Sequence, residues 1–283
     1  MKSLIITALG CYLSIVVLIY IFQRNLMYAP GHDVSSPQAS QVPEMSVYRL
    51  SSTDGLEITS WYAPPASNEM SVVIIYHGNA GTIASRAFKA RYFLDAGYGV
   101  LLVGYRGYAD NSGKPDEQGL YGDARTALEF LTREGIPSER WVFYGESLGC
   151  AIAVQMALEA ERGQLSGTTG IPGIISGLIL EAPFTSMPQA AAYHYPWLPA
   201  RWLVKDKFRS IDKISALKTP VLIVHGEQDR TIPQSHGKKL YEQITSPKKG
   251  LWIKKAGHND LYDFDAGLAI VEWISETESQ IRP

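Results

Sequence analysis

The sequence has few cysteines and almost no net charge. Of its 283 residues only two, Cys11 and Cys150, are cysteines, so no disulfide framework is expected. The six histidines are scattered singly, and this spacing does not predict a metal site. With 26 basic and 28 acidic residues the formal net charge is -2, so no basic surface for nucleic acid is expected. The sequence therefore predicts a protein without a metal and without a nucleic-acid partner.

The longest apolar run lies at the N-terminus. Residues 4–22 are apolar or small almost throughout and carry no charge. About nineteen residues at a rise of ~1.5 Å reach ~28 Å, close to the hydrocarbon thickness of a bilayer. We therefore predict that residues 1–24 form a single membrane anchor, with a cleaved signal peptide and a buried core helix as the alternatives. The amino terminus and Lys2 narrowly outweigh Arg24, which favours a main domain on the non-cytoplasmic side.

The remainder of the chain divides by composition. Residues 25–44 are rich in Pro, Ser, Gln and Gly and are predicted to be a tether. In residues 45–283, short apolar runs alternate with helical segments, which predicts a mostly parallel sheet with helices on both faces. The alternation pauses at residues 186–210, whose aromatic, weakly charged composition predicts a small cap over an apolar pocket; a plain pair of packing helices is the alternative. Residues 162–173, rich in Gly, Ser and Thr, are predicted to be a surface loop.

A serine occupies the centre of a predicted strand–turn–helix segment. The sequence GESLG at residues 145–149 follows an apolar strand at 141–144 and precedes a helical run at 151–161. A serine hydroxyl is an effective nucleophile only when it is held at an exposed point beside a base. Small residues on both sides allow the strained turn that exposes it. We therefore predict Ser147 as a nucleophile, although such a short pattern also occurs by chance in surface loops.

A serine nucleophile needs a histidine base and an acid that orients the histidine. In hydrolases of this kind of fold the order along the chain is serine, acid, histidine. His258, in a loop after the last predicted strand, is predicted to be the base, whereas His225 ends a strand and is interpreted as structural. Asp229 lies just past the strand at 221–224 and is the predicted acid, with Glu227 as the nearby alternative.

The negative charge that develops on the substrate needs two fixed N–H donors. Leu148, the residue after the nucleophile, is predicted to supply one of them. Asn79, in the loop after the first buried strand, is predicted to supply the other, with Ala80 as a close alternative.

Six motifs together resemble one superfamily. They are HGNAG at 77–81, GYRGY at 104–108, GESLG at 145–149, EAPFTS at 181–186, HGEQD at 225–229 and GHND at 257–260. The sequence resembles the alpha/beta-hydrolase superfamily, and within it the branch of membrane-anchored serine hydrolases that includes the protein depalmitoylating acyl thioesterases of eukaryotes. The resemblance runs from about residue 26 to the C-terminus. It implies a triad of Ser147, His258 and Asp229, with Asn79 and Leu148 as oxyanion donors.

The sequence thus predicts a membrane-anchored serine hydrolase. Its substrates are expected to be carboxylic esters or thioesters, on lipid-like or acylated molecules, cleaved through an acyl-enzyme. No cofactor is expected, because water releases the acyl group. A serine peptidase or an acyltransferase would use the same residues, and a non-catalytic binding protein of the same fold is the alternative from another class.

Overall fold

The computed structural model of the protein describes residues 1–165 and 173–281. Its strands are β1 (Ala29–Pro30), β2 (Ser46–Ser51), β3 (Glu57–Ala63), β4 (Val72–Tyr76), β5 (Ala80–Gly81), β6 (Gly99–Val103), β7 (Trp141–Glu146), β8 (Gly177–Glu181), β9 (Val221–Gly226) and β10 (Lys248–Ile253). Its α-helices are α1 (Lys2–Met27), α2 (Ala87–Asp95), α3 (Glu117–Arg133), α4 (Leu148–Glu161), α5 (Met187–His194), α6 (Ala200–Leu203), α7 (Gln234–Gln243) and α8 (Ala266–Ile281).

Eight of the strands form one central sheet in the order β10-β9-β8-β7-β4-β6-β3-β2. Only the pairs β2–β3 and β3–β6 are antiparallel, and the others are parallel. The predicted α/β fold with a mostly parallel sheet is confirmed. The parallel strands bring their carboxyl ends to one edge, where this class of fold binds its ligands.

The sheet is covered on both faces. All five residues of β4 and all five of β6 are buried, as expected for strands between two layers of helices. Successive residues of β4 enter opposite cores: Ile74 packs with side chains of α3 and α4, and Ile75 packs with side chains of α2 and α8. The alternation of side chains along a strand places one apolar set on each face.

The segment predicted to be a tether, residues 25–44, makes contacts with the domain. Strand β1 pairs with β5, and Tyr28 and Val42 are buried, each in one of the two cores. The prolines and small polar residues of this segment predict irregular backbone. Composition alone does not show that the side chains of Tyr28 and Val42 pack into the two cores of the domain.

Three other segments were predicted from the sequence: a cap, a surface loop and a membrane anchor. Residues 186–210 contain the short helices α5 and α6, where the sequence predicts a cap. The predicted loop at residues 162–173 lies in large part outside the described residues. Helix α1 has 26 residues, is long and apolar enough to cross a membrane, and is exposed over its most apolar window, which does not fit a buried core helix.

Candidate active site

Ser147 lies at a strained turn between β7 and α4. Its backbone has φ 50° and ψ -108°, a conformation that residues with a side chain rarely adopt. A Cβ on Gly149 would lie 1.9 Å from the carbonyl oxygen of Tyr76, and one on Gly145 would lie 2.5 Å from the Cα of Cys150. Both glycines are therefore required by close approach of the backbone. The turn leaves 9% of Ser147 exposed, and the serine lines a pocket.

Three side chains that are distant in the sequence meet at this edge. The Nε2 atom of His258 lies 3.2 Å from the Oγ of Ser147. The Nδ1–H of His258 donates a hydrogen bond to Oδ2 of Asp229 at 2.7 Å. Because Asp229 fixes the proton on Nδ1, Nε2 is left to accept from the serine hydroxyl. Each of the three residues follows the carboxyl end of a parallel strand (β7, β9 or β10), which is why they converge.

Asp229 is held by its own loop. Its Oδ1 accepts backbone N–H groups of Thr231 at 2.8 Å and Ile232 at 2.7 Å. Burial acts to raise the pKa of Asp229, but hydrogen bonds from His225 and His258 outweigh it and hold this pKa well below its usual value. Asp229 therefore stays ionised at neutral pH, as an acid that orients a histidine requires.

The two alternative residues on β9 and its loop take other positions. Glu227 is exposed to solvent, and Asp229 is the carboxylate in contact with His258. His225 is fully buried, and its Nε2–H donates to the carbonyl of Ile232 at 2.8 Å. The same Nε2 lies 3.3 Å from Oδ2 of Asp229. His225 thus shapes the turn, as its position at the strand end suggests, and it also supports the carboxylate.

A buried charged cluster lies beneath the serine. The Nζ of Lys89 contacts Glu146 at 2.7 Å and both oxygens of Glu181 at 2.9 Å. Arg86 contacts Glu146 at 2.5 Å, and the hydroxyl of Tyr144 donates to Glu181. Burial opposes the charge of Glu146, but Lys89 and Arg86 outweigh it and hold the pKa of that carboxyl well below its usual value. Sequence reasoning missed this cluster; the available signal was the pair of cations three residues apart, Arg86 just before α2 and Lys89 within it.

Both predicted oxyanion donors lie beside Ser147 and line the same pocket. Leu148 is the first residue of α4, so its N–H is not used by the hydrogen bonds within the helix. Asn79 is held from several sides: its Nδ2–H donates to the carbonyl of Met27 at 2.8 Å, and its own carbonyl accepts from the hydroxyl of Tyr108 at 2.8 Å. The alternative donor, Ala80, pairs with β1 as part of β5.

An apolar pocket of about 300 Å³ opens at the serine. Its walls come from α1, the two cap helices and the loop that carries Asp229. Its lining includes Ile19, Tyr20, Gln23, Leu26, Met27, Phe184, Met187, Ala190, Ala191, Leu198, Leu203, Val204 and Ile232. Sequence reasoning predicted an apolar pocket under the cap but not the contribution of α1. In residues 1–165 and 173–281, no group of three or more His, Cys, Asp or Glu side chains has the arrangement of a metal site.

Known proteins share this fold and much of this sequence. The family described as alpha/beta hydrolase fold matches residues 71–211. An uncharacterized protein of Mycobacterium tuberculosis is 34% identical over 269 residues, covering 93% of this chain and 91% of the relative. Human alpha/beta hydrolase domain-containing protein 17B is 32% identical over 212 residues, covering 73% of this chain and 67% of the relative.

Among solved structures, an esterase of Pyrococcus furiosus has a TM-score of 0.67 at 15% identity. The match covers 89% of this chain and 98% of the esterase. At that identity the likeness concerns the fold alone. Together with the two relatives and the matching family, it leads to one conclusion: this chain belongs to the alpha/beta-hydrolase superfamily.

Proposed function

We propose that this protein is a membrane-anchored serine hydrolase that cleaves carboxylic ester or thioester bonds of lipid-like or acylated substrates. The observation that carries the proposal is the chain of contacts from Asp229 through His258 to Ser147, at 2.7 and 3.2 Å, with the serine on a strained turn at an apolar pocket. A non-catalytic protein has no need to maintain a strained serine and a buried carboxylate in this alignment.

In the proposed reaction, the Oγ of Ser147 attacks the acyl carbonyl carbon while Nε2 of His258 takes the hydroxyl proton. The carbonyl oxygen becomes negatively charged and accepts hydrogen bonds from the backbone N–H groups of Leu148 and Asn79. Asp229 stabilises the imidazolium that forms. When the bond to the leaving oxygen or sulfur breaks, His258 returns the proton to that atom and the acyl group stays on Ser147.

Water completes the cycle. A water molecule loses a proton to Nε2 of His258 and attacks the acyl-enzyme carbonyl, and the carboxylic acid leaves as Ser147 regains its proton. A reaction of this kind balances without a cofactor. Loss of one oxyanion donor typically costs a factor of about 10² to 10³ in rate, so the two N–H groups are expected to contribute substantially.

The membrane anchor is supported by α1 itself. The helix is long and apolar enough to span a bilayer, and Arg24 near its end forms a bidentate ion pair with Asp206 at 2.8 Å. These contacts to the folded domain favour a retained helix over a cleaved signal peptide. Because the amino terminus and Lys2 narrowly outweigh Arg24 in positive charge, we place the hydrolase domain on the non-cytoplasmic side.

The choice of ester and thioester bonds follows from the apolar pocket and from the relatives. The Pyrococcus furiosus protein of similar fold is an esterase. The sequence motifs resemble those of depalmitoylating acyl thioesterases, whose substrates carry a long acyl chain. A pocket lined mainly by apolar side chains suits such a chain.

A fluorophosphonate probe tests the nucleophile, because it labels only an activated serine. We expect the full-length protein in detergent to be labelled and to hydrolyse p-nitrophenyl esters. Ser147→Ala is expected to lose labelling, and His258→Ala to lose turnover, whereas Ser112→Ala at an exposed loop serine keeps both. Equal labelling of the wild type and of Ser147→Ala would contradict the assignment.

A further inference from the structure

Helix α1 is fastened to the cap along much of its length. The side chain of Gln23 is buried between them: its Nε2–H donates to the carbonyl of Leu203 at 3.2 Å, and its Oε1 accepts the backbone N–H of Lys205 at 2.7 Å. Nearer the N-terminus, the hydroxyl of Tyr12 donates to the carbonyl of Trp197 at 3.1 Å, and the two rings meet edge to face. An amide on a mostly apolar helix thus finds hydrogen-bond partners in the cap backbone.

The same face of α1 forms one wall of the pocket at Ser147. Ile19, Gln23 and Leu26 line the pocket, at the spacing of four and three residues that places side chains on one helix stripe. Leu203 lines it from the cap side. The helix predicted to cross the membrane is therefore also a part of the binding site.

The pocket reaches the outer surface where α1 and the cap meet. Leu26 and Tyr195 both line the pocket, yet Leu26 is 70% exposed and Tyr195 is 51% exposed. Side chains that are exposed and also line a pocket mark its mouth. Leu26 belongs to α1, so the apolar surface of the helix continues into the pocket.

The cap itself has an outer face suited to a membrane. Trp202 is 82% exposed, and Tyr193 and Trp197 are also exposed. Aromatic side chains of this type concentrate at the boundary between lipid and water. Tyr12 and Gln23 are eleven positions apart, so the contact between α1 and the cap extends about 16 Å along the helix axis. The cap thus lies alongside the apolar part of α1.

We infer that α1 and the cap together form a lateral entrance, through which the acyl chain of a membrane-resident ester or thioester passes from the bilayer into the pocket at Ser147. The inference rests on the proposed function. It adds the route by which the acyl chain enters, and it assigns to α1 the pocket wall that selects for chain length. A hydrocarbon chain is the occupant that matches the apolar lining, because it moves from lipid to pocket without exposure to water. The ester group then stops where the polar groups at Ser147 begin.

The test compares two tryptophan substitutions on α1 of the full-length protein in lipid nanodiscs. Ile19→Trp adds bulk to the pocket wall, whereas Ile21→Trp adds it about 200° around the helix, where the side chain is exposed. The measurement is the ratio of kcat/KM for p-nitrophenyl palmitate to that for p-nitrophenyl butyrate. We expect Ile19→Trp to lower this ratio about tenfold, because overfilling an apolar pocket penalises the longer chain more. Ile21→Trp is expected to leave it unchanged.

A second variant guards against misfolding of the first. Leu198→Trp enters the same pocket from the cap side and is expected to lower the ratio in the same direction. Thermal melting of each variant shows whether it is folded. The comparison with Ile21→Trp is then made with Ile19→Trp, with Leu198→Trp, or with both, according to which of them is folded. Equal ratios in the folded wall variants and in Ile21→Trp, with Ser147-dependent hydrolysis of both esters in the wild type, would overturn the inference and leave the proposed function intact. A wild-type protein that hydrolyses neither ester and is not labelled at Ser147 would remove the proposed function, and the inference with it.

Discussion

Replacing Lys89 with methionine tests the charged cluster beneath the serine. Lys89 is buried and contacts two carboxylates, Glu146 and Glu181, whereas Arg86 forms an ion pair with Glu146. Lys89→Met keeps most of the side-chain volume and removes the charge. The variant therefore leaves one buried carboxylate without its cation, a change that typically costs ~3–5 kcal/mol of stability.

The expected loss is measurable as a shift in melting temperature. For a domain of this size, 1 kcal/mol corresponds to about 2–4 °C, so Lys89→Met is expected to melt about 6–20 °C below the wild type in detergent at neutral pH. Lys114→Met is the matched control, because Lys114 is exposed in a loop and such surface changes typically stay within about 0.5 kcal/mol.

The pH dependence separates lost charge from lost packing. In the wild type the pKa of Glu146 is held below its usual value, so its contribution to stability is present above about pH 4.5 and is lost as the pH falls. In Lys89→Met, two neighbouring carboxyl groups with one fewer cation cannot both remain ionised, and one is expected to take up a proton. The difference in melting temperature between the wild type and Lys89→Met should therefore become smaller as the pH falls from about 8 to 5.5. A gap that is absent, or that does not change with pH, would refute the electrostatic reasoning.

Two further predictions concern the strained turn at Ser147 and the predicted acid, Asp229. Gly149→Ala is expected to destabilise the protein by about 3 kcal/mol or more, because its Cβ would lie 1.9 Å from the carbonyl oxygen of Tyr76. Gly10→Ala is the control, because a Cβ at Gly10 meets open space, and it is expected to be neutral. Thermal melting measures both variants. Asp229→Asn is expected to lower kcat about 10⁴-fold, since an amide favours the wrong histidine tautomer, while Glu227→Gln on the exposed alternative stays within about twofold in p-nitrophenyl ester turnover. Because the pKa of Asp229 is held below its usual value, Asp229 stays ionised and stabilises the folded wild type above about pH 4. This stabilisation is lost only as the pH falls below that value. Any fall in activity between about pH 5 and 7 must therefore come from another group. Melting curves that match for Gly149→Ala and Gly10→Ala, or equal rates for Asp229→Asn and Glu227→Gln, would contradict these expectations.

Local chemistry is what the sequence determined by itself. Continuous apolar runs such as β4 predict strands buried on both faces, and the structure places them in the middle of the sheet. The glycines around Ser147 predict a tight turn because no other residue fits there, and the clashes at Gly145 and Gly149 show why. The order of serine, acid and histidine, together with positions just past predicted strands, predicts Asp229 and His258. In the structure Asp229 contacts His258, and His258 contacts Ser147.

Features that depend on contacts between distant segments were decided only by the tertiary structure. The composition of residues 25–44 predicts a tether, but burial of Tyr28 and Val42 needs partners that lie elsewhere in the chain. Lys89 becomes a partner of Glu146 and Glu181 only when α2 packs over β7 and β8. The apolar pattern of α1 predicts a helix for a membrane and cannot show that one stripe of it lines the pocket at the serine. Periodicity and spacing are local properties of a sequence, whereas burial, ion pairing and pocket walls arise from which surfaces meet after folding.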